Sequence, residues 1–242
     1  RRHMTDDDIL RLTREIDLPL NLEMAATDEM LEIALHHMPH AACIVPEKRE
    51  ETTTEGGLEV AGAHKRLAPF VRQLSAAGIK VSLFIEPDIE QVDGAVALGA
   101  QIVELHTGAY CDASHDTRDA QFDRIAIAAA HAEAVGIECH AGHGLTFDTV
   151  APVAAIPTIE ELNIGHFLIG EAIFGGLESS IKRMRSLMDK ARSAADGQRS
   201  GIVTQKIGRF RRIEEQEDGQ TGGGQYRGRG AHCVSEGGEE HH

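Results

Sequence analysis

The stretch KVSLFIEPDIEQVDGAVALGAQIVELH, Lys80 to His106, decides the fold. It opens with an almost wholly apolar run, KVSLFI, of the length and β-branched character of a strand buried on both faces. A helical pattern over Ile89–Leu98 follows and stops at Gly99, a residue that accepts the left-handed conformation ending a helix. A second apolar run, QIVELH, closes the stretch. Strand, helix, strand in 27 residues is one βαβ unit, which implies two parallel neighbouring strands.

The same rhythm extends in both directions. The expected strands are Pro19–Met24, Ala41–Val45, Lys80–Ile85, Gln101–His106, Gly136–His140 and Glu161–Ile164. Helical patterns separate them over Asp28–Met38, Ala63–Ala77, Ile89–Leu98, Thr117–Val135 and Thr146–Ala155, and a long amphipathic segment covers Ser179–Arg192. Thr27 precedes Asp28 and Glu29, the pattern of an N-cap with acidic residues in the first turn. Gly78 and Gly136 stand where helices should stop. No G-x-G-x-x-G opens a helix, so a dinucleotide site has no support.

Nearly every strand ends in a titratable group: Glu23, Glu47, Glu86, Glu104 with His106, His140 with His143, and His166. An open doubly wound sheet gathers its chemistry at one switch point, whereas a barrel spreads it over all its C-terminal strand ends. The expected architecture is therefore a (β/α)8 TIM barrel. Only six strands are found, and the chain starts at Arg1 with no initiator Met. The expectation is a barrel lacking its first two βα units in this chain.

Composition divides the chain. Residues 1–192 form the expected partial barrel. Residues 193–242 hold 11 of the 25 glycines and only 11 apolar residues, too few to offset chain entropy, so a Gly-rich disordered tail is expected there. The formal net charge of −15 argues against a nucleic-acid or anionic-membrane surface. The tail sequence TGGGQYRGRG has the look of an RNA-binding segment, but it is one short instance with little net charge. No apolar run approaches the ~18 residues of a membrane span. Four cysteines without a C-x-x-C pair suit a reducing cytoplasm better than a disulfide framework.

Glu23, in NLEMAAT, alternates with Leu22 and Met24 and shares a face with Asn21. Desolvated inside a barrel, its carboxyl should have a raised pKa suited to proton abstraction. A buried structural ion pair is the competing reading. Glu104 and His106 share one strand face and suit metal binding or proton transfer. HAGHGL, His140–Leu145, places two histidines around small residues before a helical pattern, an arrangement open to anions, with His143 able to donate a proton near neutral pH. Gly165-His166 and Gly170 in NIGHFLIGEAIF repeat the theme. Thr52–Thr54 before Glu55-Gly56-Gly57 can order around an oxyanion. Lys48 is a candidate Schiff-base nucleophile, though it sits among charges rather than in an apolar pocket.

The stretches RRHMTDDD, NLEMAAT, VPEKREETTTEGGLEV, VSLFIE, VELHTGAY, HAGHGLT and ELNIGHFLIGEAIFGGL together resemble the pyridoxine 5′-phosphate synthase family of the deoxyxylulose-phosphate-dependent vitamin B6 pathway. The resemblance implies a cytoplasmic transferase, a (β/α)8 barrel assembled as a homo-octamer, and no metal or organic cofactor. The implied reaction condenses 3-amino-2-oxopropyl phosphate with 1-deoxy-D-xylulose 5-phosphate to pyridoxine 5′-phosphate, phosphate and water. By motif, Glu23 is similar to the family's general base and His143 to its general acid. Glu104 is similar to the carboxylate that stabilises cationic intermediates. His3 and Thr53 are similar to groups holding the deoxyxylulose phosphate, and Gly144, Gly165 and His166 to the aminoketone-phosphate site. The family's first-strand Asn-x-Asp-His, and the catalytic His and phosphate-binding Arg of its second strand, have no counterpart, so this chain by itself is expected to be inactive. His140 stands where an Asn is common. The competing functions are a metal-dependent barrel hydrolase built on Glu104, His106, His140 and His143, a Schiff-base lyase on Lys48, and a non-catalytic gene fragment.

Overall fold

The structure is a computed structural model that describes residues 4–46 and 56–196. Helix α1 (Asp6–Glu15) leads into strand β1 (Asn21–Ala25), followed by α2 (Asp28–His37), β2 (Ala41–Val45), α3 (His64–Ala76) and β3 (Lys80–Ile85). Then come α4 (Ile89–Leu98), β4 (Ile102–His106), α5 (Gly108–Asp112), α6 (His115–Val135), β5 (Glu138–Gly142), α7 (Val150–Ala154), β6 (Ile159–Asn163) and α8 (His166–Gly175). A further helical run covers 177–196, so it extends past Ser193, where the composition changes. The rest of the expected tail, 197–242, lies outside the described residues.

Local chemistry explains the boundaries. Thr5 caps α1 with a reciprocal bond to Asp8, and Thr27 Oγ1 accepts from the Met30 N–H to cap α2. Gly99 and Gly136 end α4 and α6 at φ of 81° and 77°, where a Cβ would be strained.

The six strands form one sheet in the order β1-β2-β3-β4-β5-β6, every pair parallel. Sequential order without reversal means that the sheet has no switch point. It is also strongly curled. Cys43 on β2 and Asn163 on β6 stand four strand spacings apart, about 19 Å on a flat sheet. Both reach one carboxylate oxygen, Oε2 of Glu104 on β4, at 3.5 and 2.9 Å. Only a sheet bent around Glu104 brings them together. The fold is an α/β arc of barrel type, and β1 and β6 pair with no further strand among the described residues.

Alternation sorts the side chains. Leu22, Ile44, Val81, Leu83, Val103 and Cys139 point to the convex face and pack with Leu31, Leu67, Leu74, Val92 and Ile125 of the helices. Each such burial contributes roughly 1.5–3 kcal/mol. The other register, with Glu23, Cys43, Phe84, Glu104, His106 and His140, faces the concave side. Between β5 and β6 the register slips, so that Cys139 pairs with Ile159 but His140 with Glu161. This bulge turns Glu161 and Asn163 to the concave face.

Candidate active site

Glu104 is the hub. It is 3 % exposed, accepts from the Asn163 amide and the Cys43 thiol at Oε2, and feels the nearby charge of Glu23. Burial, then Glu23, push its pKa up to about 8. The resting side chain is a neutral acid at pH 7. Its second oxygen lies against Gly142 of β5, where a Cβ would overlap Glu104 Oε1 and come within 2.9 Å of the Asn163 carbonyl. Gly142→Ala should therefore overpack this contact and destabilise the protein by about 1–3 kcal/mol. A thermal melt checks this: an unchanged Tm would show that the carboxyl moves aside freely.

The expected desolvation falls on Glu104 and not on Glu23. Glu23 does face the concave side, opposite Cys43, but it is exposed because β1 is the edge strand. Facing inward buries a side chain only where neighbouring strands surround it.

His143 follows β5 on a strained turn, at φ 77°, with Gly144 next at 78°. A non-glycine residue there costs roughly 1–2 kcal/mol. Thr107 holds the turn: its N–H and hydroxyl donate to the Gly142 carbonyl at 2.8 and 2.7 Å, and its hydroxyl also reaches the His143 carbonyl. Gly144 accommodates Cys111, whose Cβ would lie 3.2 Å from a Cβ at that position. Burial, then His106, lower the His143 pKa. His166 acts on it electrostatically from the start of α8, where Gly165 is the N-cap. Gly165 and His166 are exposed.

Glu23, Glu104, His143, Gly144, Gly165 and His166 thus share the concave side and C-terminal rim of the sheet. His3 and Thr53 lie outside the described residues, as do Lys48, Glu47 and the Thr52–Glu55 loop. The metal quartet is not assembled. His140 Nε2 is 2.8 Å from Glu138 with Glu161 on its other side, Glu104 is tied to Cys43 and Asn163, and His106 to Glu86. Among the described residues no three His, Cys, Asp or Glu side chains are grouped to hold an ion.

Sequence reasoning missed Cys43 and Asn163 as partners of Glu104, and Thr107 as the clamp on the His143 turn. Alternation places Cys43 and Asn163 on the face of Glu104, but their contact depends on the curl. A hydroxyl directly after VELH was the available signal for Thr107.

Residues 1–190 match the family model described as pyridoxal phosphate biosynthesis protein PdxJ. The chain is 70 % identical over 192 residues to the pyridoxine 5′-phosphate synthase of Rhodospirillum rubrum, covering 79 % of this chain and 77 % of that protein. It is 62 % identical over 193 residues to that of Zymomonas mobilis subsp. mobilis, covering 80 % and 75 %. A cube-shaped, highly porous cage designed by fusing symmetric oligomeric domains resembles it at a TM-score of 0.59 and 12 % identity, over 88 % of this chain and 71 % of that one. That likeness is one of fold. No helix among the described residues is long and apolar enough to cross a membrane.

Proposed function

The chain belongs to the PdxJ family of pyridoxal phosphate biosynthesis proteins, and from that premise we propose that it carries the acid–base part of a pyridoxine 5′-phosphate synthase site. The substrates are 3-amino-2-oxopropyl phosphate and 1-deoxy-D-xylulose 5-phosphate, and the products pyridoxine 5′-phosphate, phosphate and water. One observation carries the reading: Glu104, held neutral near pH 7, stands beside Glu23 and behind the Gly142–His143 turn on a single concave face.

The amine nucleophile comes from the substrate, so the protein has to move protons. Glu23, the exposed carboxyl on the concave face, takes a proton from carbon. His143 gives one to a leaving hydroxyl. Glu104 ionises when a cationic intermediate forms beside it, because a nearby positive charge lowers a raised carboxyl pKa. Charge therefore appears on Glu104 only when the intermediate needs it. Gly144, Gly165 and His166 hold the aminoketone phosphate at backbone N–H groups and the start of α8. His3 and Thr53 hold the second phosphorylated substrate. The reaction uses no metal or organic cofactor and takes place in the cytoplasm.

The six-stranded arc is, in this proposal, six of the eight units of a closed barrel. Supporting it are the two free sheet edges among the described residues and the quarter of each relative that this chain does not span. Helix α8 supports it too, for it buries no residue and leaves Ile173 and Phe174 79 % and 89 % exposed. An apolar face of this kind needs a cover, from further units of the barrel or from the other subunits of an octamer.

The test mixes both substrates with the 242-residue chain and, separately, with an eight-unit chain encoded from the DNA upstream of the Arg1 codon. Pyridoxine 5′-phosphate should form only with the second, which should sediment as an octamer. Turnover by the 242 residues alone would sink the claim of missing units. No product from the eight-unit chain would sink the function.

A further inference from the structure

His106, at the end of β4, is 6 % exposed and has no part in the mechanism above. Its Nδ1 lies 3.0 Å from Glu86 Oε1. The Gly57 N–H also donates to that oxygen, at 2.9 Å, and the Arg124 guanidinium stands 4.0 Å from the other. The His106 bond, foremost, holds the Glu86 carboxyl below the usual carboxylate range. Glu86 is thus an anion that accepts, and Nδ1 of His106 carries the proton. In the neutral ring this leaves Nε2 as an acceptor, and it is buried without a hydrogen-bond partner. A buried acceptor left unmade costs about 1–3 kcal/mol, so it calls for an explanation.

The ring nearest to it with N–H groups to offer belongs to His143. The His106 and His143 centroids are 5.1 Å apart, with planes tilted by 51°. Phe84 lies edge-on to both. Gly108 keeps the space between them open: a Cβ there would stand 2.6 Å from His106 Nε2 and 3.2 Å from His143 Cδ2.

We propose that Glu86 and His106 form a carboxylate–imidazole pair that positions His143, His106 Nε2 accepting a hydrogen bond from the His143 ring. The proposal rests on the reading of His143 as the general acid. Doubly protonated His143 donates one N–H to His106 and presents the other to the substrate. When the second proton leaves with the substrate's hydroxyl as water, the neutral ring keeps its bond to His106. The pair thus fixes which nitrogen delivers the proton. His106 is a positioning residue. The other groups acting on His143 are Asp112 of α5, which favours its cation, and His166 of α8, which opposes it.

The experiment is an NMR titration of the 242-residue chain with 15N,13C-labelled histidine. In the wild type, His106 should show the tautomer protonated at Nδ1. His106→Leu should lower the His143 midpoint by about half to one pH unit, because a partner of the cation is lost. His106→Gln, whose carbonyl can accept in place of Nε2, should restore most of that shift. In the geometry of the structure, where that bond is not made, His106 acts on His143 as a neighbouring charge that lowers its pKa, and on that footing its removal would raise the midpoint. A raised or unmoved midpoint overturns the proposal. Should His106→Leu not fold, the wild-type tautomer and Glu86→Gln decide. A proton on Nε2 of His106, or a His143 midpoint indifferent to Glu86→Gln, overturns it equally. None of these readings needs turnover, so a failure of the synthase assay is a separate result.

Discussion

Glu23→Gln in the eight-unit enzyme should lower kcat by about 10²–10⁴-fold, the range a positioned general base supplies, and leave the affinity for both phosphorylated substrates nearly unchanged. Glutamine keeps the shape and the polar contacts of the side chain but does not take a proton. The site should otherwise survive, because glutamine matches glutamate in size and Glu23 is no part of the apolar core. A second consequence separates loss of the base from general damage. Glu23 is, after burial, the strongest influence raising the Glu104 pKa. Removing its charge should bring the Glu104 titration down, towards the ordinary carboxylate range. Steady-state kinetics with carboxyl-region NMR read both effects. An unchanged kcat removes Glu23 as the base, and a lost affinity for substrate would give it a binding role instead.

The elements that were legible in the sequence are those whose ends carry their own chemistry. Strands β2 and β3 and helix α4 fall on the residues expected, because each is bounded by prolines, glycines or charges. β5 begins two residues later than expected, since Gly136 and Ile137 complete the turn out of α6, and it runs on through small residues to Gly142. α5 was not foreseen, because five residues are too few to show a helical period. In the site, the facing of Glu23, Glu104 and His106 follows from alternation alone. The distribution of burial does not. Glu104 is enclosed and Glu23 exposed because one stands mid-sheet and the other at an edge, and that order is a property of the assembled sheet. Sequence also offered Glu86 only as one strand-end charge among several. Its bond to His106 comes from neighbouring strand ends, twenty residues apart in sequence, meeting on a curved rim.

Glu104→Gln should stabilise the fold at neutral and alkaline pH while depressing turnover. In the unfolded chain the Glu104 carboxyl titrates near 4.5, and in the folded protein near 8. Between these values the folded state binds a proton that the unfolded state does not, so stability falls as pH rises through that window. Below about pH 4.5 both states are protonated and there is no penalty. Above about pH 8 the folded protein must hold an anion in a nearly closed site, and the loss is complete. A shift of this size corresponds to something on the order of 3–5 kcal/mol. Glutamine avoids the penalty because it stays neutral, and its carbonyl still accepts from Asn163 and Cys43 in the geometry seen for Oε2. Urea unfolding of both proteins at several pH values should show curves that come together at about pH 4 and below and separate steadily towards pH 8, the variant being the more stable. A constant difference, or a less stable variant at pH 8, would mean that the buried carboxyl is not held neutral. In the proposed mechanism the activity cost has the same origin: a side chain that cannot ionise cannot supply negative charge to a cationic intermediate, so the feature that weakens the fold at neutral pH is the one the proposed chemistry would use.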